Sequence, residues 1–357
     1  MVKRSVVFTG GGSAGHVTPN IAIIKEINNQ DWEINYIGSK SGIEKDLITK
    51  LNIPYHPINS GKLRRYVDFE NVIDIFRVFR GCKEARSILK KIKPDLVFSK
   101  GGFVTVPVIV AAKTLKIPVF IHESDITPGL ANKISKRFAT KIFTTFAETK
   151  QFFPEHKTKV VGSPIRREIL NGSIKIGKRY LGFNDFKPVL TIMGGSLGAK
   201  KINDLIRDNL DLLLQNYQIV HLCGKNNIDK SLIHLNNYKQ FEYVNEELSD
   251  ILAATDFVIT RGGSNAIFEF LALRIPMIII PLGLEQSRGD QILNAKSFEE
   301  KGYSITVNEQ DLSADKLQES LAYLLKNKHK IRENMRTASQ FNAISILVKE
   351  MTDIIQS

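Results

Sequence analysis

Apolar residues fall in short runs rich in Val, Ile and Phe, at 5–9, 33–37, 96–99, 119–122, 141–144, 189–193, 218–222, 257–260 and 277–281. Longer segments between them, such as 18–29, 71–93 and 202–215, repeat their apolar positions every three or four residues. The short runs read as buried strands and the longer segments as helices. Strands alternating with helices predict parallel sheets covered on both faces, an α/β fold. The pattern also restarts. Residues 6–15 read VVFTGGGSAG and residues 190–198 read LTIMGGSLG, so Gly11, Gly12, Ser13 and Gly15 match Gly194, Gly195, Ser196 and Gly198 at a constant offset of 183. Each half is therefore expected to begin its own doubly wound sheet. Prolines at 154 and 164 bracket a hinge. The expected organisation is one domain over 1–163, a second over 164–340, and an amphipathic C-terminal helix within 341–357 that packs back on the first.

A chain of 357 residues suits two domains of ordinary size. Its two cysteines, Cys82 and Cys223, make neither a disulfide framework nor a zinc cluster. The longest apolar stretches, 104–112 and 275–284, are well short of the about 20 residues needed to span a bilayer. The N-terminus turns glycine-rich after one apolar run, unlike a signal peptide. These features describe a reduced, cytosolic enzyme. Charge adds an asymmetry. Of the net +13, residues 1–160 hold 26 Lys and Arg against 14 Asp and Glu, a net of +12. A field confined to one half implies an anionic partner there: nucleic acid, membrane surface or phosphorylated ligand.

Four glycine turns follow strands. Residues 10–15 spell G-x-G-x-x-G, which lets backbone N–H groups approach an anion at a helix start. The dinucleotide fingerprint also needs an acid after the second strand, and Ser39 and Lys40 stand there instead, so NAD is not expected. Gly194-Gly195-Ser196 is the stronger phosphate turn. Residues 260–265, TRGGSN, form another and lead to Glu269 on a helix, where a carboxylate could accept from both hydroxyls of a ribose. Asp290 and Gln291 lie past the 277–281 strand, where open α/β sheets bind ligands, and suit sugar hydroxyls. In the first half, Ser99–Phe103 is a further glycine turn, and His122, Glu123, Ser124 and Asp125 follow a strand. With His16 they could supply a general base for an attacking hydroxyl. No Walker lysine pattern, no D-x-D pair and no metal-ligand spacing occurs, so neither ATP hydrolysis nor a catalytic metal is expected.

Taken together, GGGSAGHVTPN at 10–20, SKGGFV at 99–104, HESDITPGLANK at 122–133, SPIR at 163–166, GGSLGAKKIN at 194–203, GGSNAIFE at 262–269 and RGDQILNA at 288–295 resemble the MurG family of peripheral membrane glycosyltransferases. Seven motifs occur in the right order from residue 3 to beyond residue 300. The resemblance implies a GT-B fold, two Rossmann-like domains facing a central cleft. It implies inverting transfer of GlcNAc from UDP-GlcNAc to the MurNAc 4-hydroxyl of lipid I, giving lipid II, without a required metal. The C-terminal half would hold the donor. Glu269 would take the ribose, Ser196, Arg166 and the Ser264-Asn265-Ala266 turn the diphosphate, Asp290 and Gln291 the GlcNAc, and the backbone near Asn245 the uracil. The N-terminal half would hold the acceptor, with His16, Glu123 and Asn132 around its sugar. Gly12, Ser13 and Gly15 of the first loop and Gly101 and Gly102 of the second would meet its pyrophosphate. Phe103 stands where the family often has tyrosine, and HESD replaces the frequent HEQN. The base stays open among His16, Glu123 and Asp125.

Residues 62–93 carry ten Lys or Arg against four acids. Val72, Ile75, Phe76 and Phe79 recur on one helical face, and Ile73 and Val78 widen it beyond the roughly 100° of a core-facing stripe. With Arg64, Arg65, Arg80 and Lys83 alongside, this segment suits an anionic leaflet, each cation contributing about 1 kcal/mol. The enzyme is expected peripherally on the cytoplasmic face of the cell membrane, with other cell-wall enzymes among the candidate partners and without nucleic acid. Competing readings are a diacylglycerol glycosyltransferase or a UDP-GlcNAc epimerase of the same fold, and, more distantly, a basic nucleic-acid-binding protein with steeply salt-dependent binding.

Overall fold

The computed structural model describes residues 4–28, 31–61, 69–184, 186–195, 198–338 and 342–356, with the backbone alone for 69–75. The chain divides into two compact units, Met1–Ile165 with Gln340–Ser357, and Arg166–Ser339. The first runs β1 (Arg4–Thr9), α1 (Thr18–Ile27), β2 (Trp32–Ser39), α2 (Ile43–Thr49), β3 (Tyr55–Ile58), α3 (Phe69–Ile92), β4 (Leu96–Ser99), α4 (Thr105–Thr114), β5 (Val119–Glu123), α5 (Leu130–Ser135), β6 (Lys141–Thr144) and β7 (Thr158–Val160). The second runs α6 (Arg167–Leu170), α7 (Ile174–Leu181), β8 (Val189–Met193), α8 (Lys200–Asp208), α9 (Leu210–Asn216), β9 (Gln218–Leu222), β10 (Tyr238–Phe241), α10 (Leu248–Ala254), β11 (Phe257–Thr260), α11 (Ser264–Leu273), β12 (Met277–Ile279), α12 (Asp290–Glu300), β13 (Ser304–Thr306) and α13 (Ala314–Thr337). A last helix, α14 (Ala343–Gln356), belongs to the first unit.

All pairings in the first sheet are parallel, in the order β3-β2-β1-β4-β5-β6-β7. The second sheet is also parallel, in the order β10-β9-β8-β11-β12-β13. Both are GT-B halves of the expected kind. Strand order reverses between β1 and β4 in one sheet and between β8 and β11 in the other. At such a point neighbouring connections leave toward opposite faces, opening a crevice at the strands' carboxyl ends. Four glycine turns, after β1, β4, β8 and β11, occupy these two crevices.

Successive residues of a strand point to opposite faces, and here both faces are apolar. Val6, Phe8, Leu96, Phe98 and Phe120 join Ile23, Ile27, Trp32, Leu347 and Met351 in one core. Val7, Val97, Val119 and Ile121 join Leu89, Val108 and Ala112 in the other. Helix α14 thus closes the first sheet's face beside α1, and Glu350 pairs with Lys141 (2.5 Å) and Lys159 (2.8 Å). The single helix read over 202–215 is two, broken at Asn209, whose φ of −116° and ψ of 14° leave the helical region. Its side chain bonds back to the Leu205 carbonyl, the local competition that makes Asn a poor helix interior residue.

Candidate active site

In the first unit the two glycine turns touch. Gly11 N–H donates to the Gly101 carbonyl (3.3 Å), and a methyl at Gly102 would overlap the Gly11 carbonyl oxygen. Gly101 and Gly102 both have positive φ, +97° and +91°, which glycine alone adopts readily. His16 and Asn132 reach the same spot: a methyl on Gly101 would lie 3.6 Å from His16 Cδ2 and 3.4 Å from Asn132 Nδ2. The structure therefore gathers Gly101, Gly102, His16 and Asn132, which come from three separate stretches of the chain.

His16 Nδ1 lies 3.0 Å from the Gly11 carbonyl and 3.1 Å from Ser13 Oγ. A carbonyl only accepts, so Nδ1 carries the proton and Nε2 keeps the lone pair in the neutral ring. Glu123 is placed differently. Its carboxylate accepts from the N–H of Ser124 (2.9 Å), Asp125 (3.1 Å) and Gly129 (3.0 Å) and from Asn132 Nδ2 (2.8 Å). Burial, and the Asp125 charge after it, push its carboxyl up, while Asn132, the Asp125 N–H and the Lys100 charge oppose the shift. With four donors on it, Glu123 is the hub that aims Asn132 and the 123–129 turn. Asp125 is half-buried, its carbonyl holding Thr149 Oγ1 (3.1 Å). Asn132 Oδ1 is buried with no hydrogen-bond partner among the described residues, an acceptor left over at the meeting of the loops. Phe103 is partly exposed at the rim.

Lys100 was not anticipated. It is almost wholly buried, and its Nζ donates to His122 Nδ1 (2.5 Å) and to Ser124 Oγ. His122 Nε2 donates to the Gly162 carbonyl (3.0 Å), so Nδ1 is free to accept. Burial drives the Lys100 ammonium down to about 7, against the opposing pull of Glu123 and Asp125, and burial and Lys100 together keep His122 neutral. The sequence carries no signal for this, since lysine is rarely interior.

The first loop also departs from expectation. The Gly12 N–H, read as a pyrophosphate donor, instead meets Glu44 Oε2 at 3.2 Å. Gly15 lies in the short turn that follows it, ahead of α1. On α3, Phe76 is 69% and Phe79 64% exposed, and Arg80 and Lys83 are exposed beside them. The C-terminal turns of the same helix bury Ala85 and Leu89 in the core. Arg64 and Arg65 lie outside the described residues, as do the side chains of Val72 and Ile75.

In the second unit, Glu269 on α11 is 8% exposed and faces Arg166. Arg166 Nε and Nη2 lie 3.1 and 3.3 Å from its two oxygens, a fork on a carboxylate. Burial pushes the Glu269 carboxyl up, and Arg166 pulls it back. Gly262 and Gly263 lead into α11, which opens on Ser264, Asn265 and Ala266 with the positive end of its dipole at the turn. After β8, Gly195 has φ +102° with open space beside it, and Ser196 lies outside the described residues. Asp290 opens α12, 3.7 Å from Arg288. Gln291 Oε1 accepts from Gly262 N–H (3.2 Å) and Leu282 N–H (3.1 Å), tying the loops after β11 and β12 together. Asn294 Nδ2 adds a bond to the Gly262 carbonyl (3.1 Å). The Asn245 carbonyl caps Leu248 N–H (3.4 Å) at a cavity of about 290 Å³ lined by Tyr180 and Tyr243.

The family comparisons agree with this architecture. Residues 6–144 match the glycosyltransferase family 28 N-terminal domain and residues 189–352 its C-terminal domain. A Shouchella clausii protein named UDP-N-acetylglucosamine--N-acetylmuramyl-(pentapeptide) pyrophosphoryl-undecaprenol N-acetylglucosamine transferase is 54% identical, over 99% of this chain and 100% of its own length. A Staphylococcus aureus protein of the same name is 52% identical over 94% of each. Among solved structures, Acinetobacter baumannii MurG has a TM-score of 0.78 at 24% identity, covering 98% of this chain and 99% of its own. A putative UDP-N-acetylglucosamine 2-epimerase from Listeria monocytogenes shares the fold, with a TM-score of 0.70 at 11% identity over 98% and 96%. Two matched domains and full-length relatives above half identity place this chain in glycosyltransferase family 28, among the MurG-type transferases that its motifs resemble.

Proposed function

We propose that this chain transfers GlcNAc from UDP-GlcNAc to the MurNAc 4-hydroxyl of lipid I, with inversion, forming lipid II. The observation that carries this reading is the 54% identity, from end to end, to a transferase named for that reaction. The epimerase shares only the fold, and nothing specific favours the diacylglycerol or nucleic-acid readings.

The chemistry suits the two half-sites. Breaking the C1–O bond builds charge on the UDP β-phosphate. Arg166 and the first N–H groups of α11 are the donors for that charge, and they make a metal unnecessary in this proposal. Glu269 takes the ribose hydroxyls, sharing Arg166 with the diphosphate. Asp290 and the amide of Gln291 orient the sugar, and the backbone at Asn245 reads the base. On the acceptor side the 4-hydroxyl oxygen attacks C1 and gives up its proton. His16 is the best-presented base of the three, because its Nδ1 bond to Gly11 leaves Nε2 basic. Asn132 Oδ1 is an acceptor for a sugar hydroxyl, with Gly101 and Gly102 toward the pyrophosphate. Phe76, Phe79, Arg80 and Lys83 dock the enzyme peripherally on an anionic leaflet of the cytoplasmic face, with other cell-wall enzymes as further partners. No helix among the described residues is long and apolar enough to cross a membrane.

The test is transfer of labelled GlcNAc to a short-chain lipid I analogue in EDTA, with wild type, Glu269→Ala and His16→Gln side by side. Wild type should make product. Glu269→Ala should lose about a hundredfold in kcat/KM for UDP-GlcNAc, and His16→Gln 10²–10⁴-fold in kcat, the usual range for a general base. Absence of product from wild type in EDTA, restored by a divalent ion, would refute the metal-free reaction.

A further inference from the structure

Glu44 is fully buried, yet neither the motifs nor the proposed chemistry uses it. It sits in the first turn of α2 and folds back under the first glycine loop. Oε2 accepts from Gly12 N–H (3.2 Å), and Oε1 accepts from Ser39 N–H (3.1 Å) and Ser39 Oγ (2.5 Å). Three glycines from three places in the chain make room for it. A methyl on Gly11 would lie 2.5 Å from Oε1, one on Gly42 would overlap both carboxylate oxygens, and one on Gly38 would lie 3.0 Å from Cγ and overlap the Tyr55 hydroxyl. Tyr55 in turn donates to the Ser39 carbonyl (2.5 Å) and stacks on Tyr36, whose hydroxyl donates to the Gly10 carbonyl (2.7 Å). Burial and the Glu44 charge push both phenols up, so both remain donors.

A glycine-rich strand-to-helix turn is ordinarily read as a cradle for a ligand phosphate. Here the chain supplies the anion itself. We propose that Glu44 is a positioning residue of the acceptor half-site: it fixes the first glycine loop, and with it His16, and it bars the acceptor's phosphates from the Gly12 N–H. This rests on the acceptor reading of the first unit. His16 is tied to the same loop through Gly11, so a loop held by Glu44 sets where the imidazole points. A second anion on Gly12 would stand against a buried carboxylate of like sign, which the low local dielectric makes costly. The second loop, with Gly101 and Gly102 at positive φ ahead of α4, is then the phosphate-facing turn. The cavity of about 690 Å³ over both loops, lined also by Lys40 and Arg77, is where the acceptor's charge is met.

Two measurements on the full-length protein test this. In kinetics with the lipid I analogue, Glu44→Gln should lower kcat/KM for the acceptor by about tenfold or more, the usual effect of losing a charged hydrogen bond, with the KM for UDP-GlcNAc within about twofold of wild type. Gly42→Ala should be similarly impaired, yet add nothing in a Glu44→Ala background, since its methyl then has no carboxylate to meet. Equal losses on both substrates in Glu44→Gln would mean a merely structural residue and would overturn the proposal. In hydrogen exchange, which needs no activity, inorganic pyrophosphate should leave the Gly12 amide of wild type as slow as before and slow those of Gly102 and Phe103. Glu44→Ala should speed exchange at Gly12 and Ser39. Slowing of Gly12 by pyrophosphate, or no change in Glu44→Ala, would overturn it. Absence of GlcNAc transfer by wild type would refute the transferase reading and leave the exchange result to stand by itself.

Discussion

A carboxylate, an imidazole and an ammonium in one half-site share a small volume but not one role. Glu123 is saturated by four donors, His16 keeps a lone pair, and Lys100 is held by the neutral His122 and Ser124. Residue types at strand ends named the first two as chemistry-bearing. Their division of labour depends on which N–H groups point at which oxygen, and spacing does not carry that information. The same holds for His221, a strand residue the motifs passed over. Its Nε2 lies 2.9 Å from Asn203 Oδ1 and its Nδ1 2.8 Å from the Tyr238 hydroxyl. Burial, and then Arg207, drive its imidazole down to about 3. The unfolded chain takes up this proton near pH 6.5 and the folded one refuses it, so stability falls as pH drops from about 6.5 toward 3. Thermal melts between pH 7 and 4 should fall more steeply for wild type than for His221→Gln, whose side chain does not titrate. Equal slopes would remove His221 as the cause.

Among the elements, the nine strands read from apolar runs are all present, and the four that were missed are the edges. β3, β7, β10 and β13 end the two sheets. An edge strand has one free side and partial exposure, so short polar runs such as TKV at 158–160 serve there and carry no apolar signature. Helix α3 shows a different split. The wide apolar face was read over residues 72–79; the structure puts Phe76 and Phe79 of it in solvent, and further along the helix Leu89 sits in the core. Two exposed phenylalanines beside Arg80 and Lys83 have the composition of an interfacial helix. Phe76→Ser/Phe79→Ser should cut binding to vesicles containing anionic lipid by about tenfold or more, given roughly 1.5–3 kcal/mol for each buried aromatic. Transfer to a water-soluble acceptor analogue should be unchanged. Co-sedimentation equal to wild type would withdraw the docking role.

Across the whole molecule, the chain finishes where it started. The family's C-terminal domain spans residues 189–352, yet helix α14 belongs to the first unit, where Leu347 and Met351 are fully buried with Trp32. Leu347→Ala should therefore destabilise the first unit by about 2–5 kcal/mol, the usual cost of such a cavity. Trp32 is the only tryptophan, so its fluorescence in urea reads that unit directly. An unchanged Trp32 transition would place α14 elsewhere.

What the sequence alone determined is the part governed by local chemistry. Parallel α/β halves follow from the alternation of apolar runs and helical segments, and the loops that carry chemistry follow from glycines after strands. Glu269 and His16 were legible as residue types beside glycine turns, and Arg166 and Asn132 only through the resemblance of seven ordered motifs. The tertiary structure decided everything that depends on partners distant in the chain. It paired Arg166 with Glu269 across 103 residues, turned Gln291 into a tie between loops, buried Lys100, and put the Glu44 carboxylate under Gly12. A glycine turn has the same sequence whether its N–H groups await a phosphate or already hold a carboxylate. Only the folded chain brings residue 44 to residue 12, because hydrogen bonds are decided by position in space and not by order along the backbone.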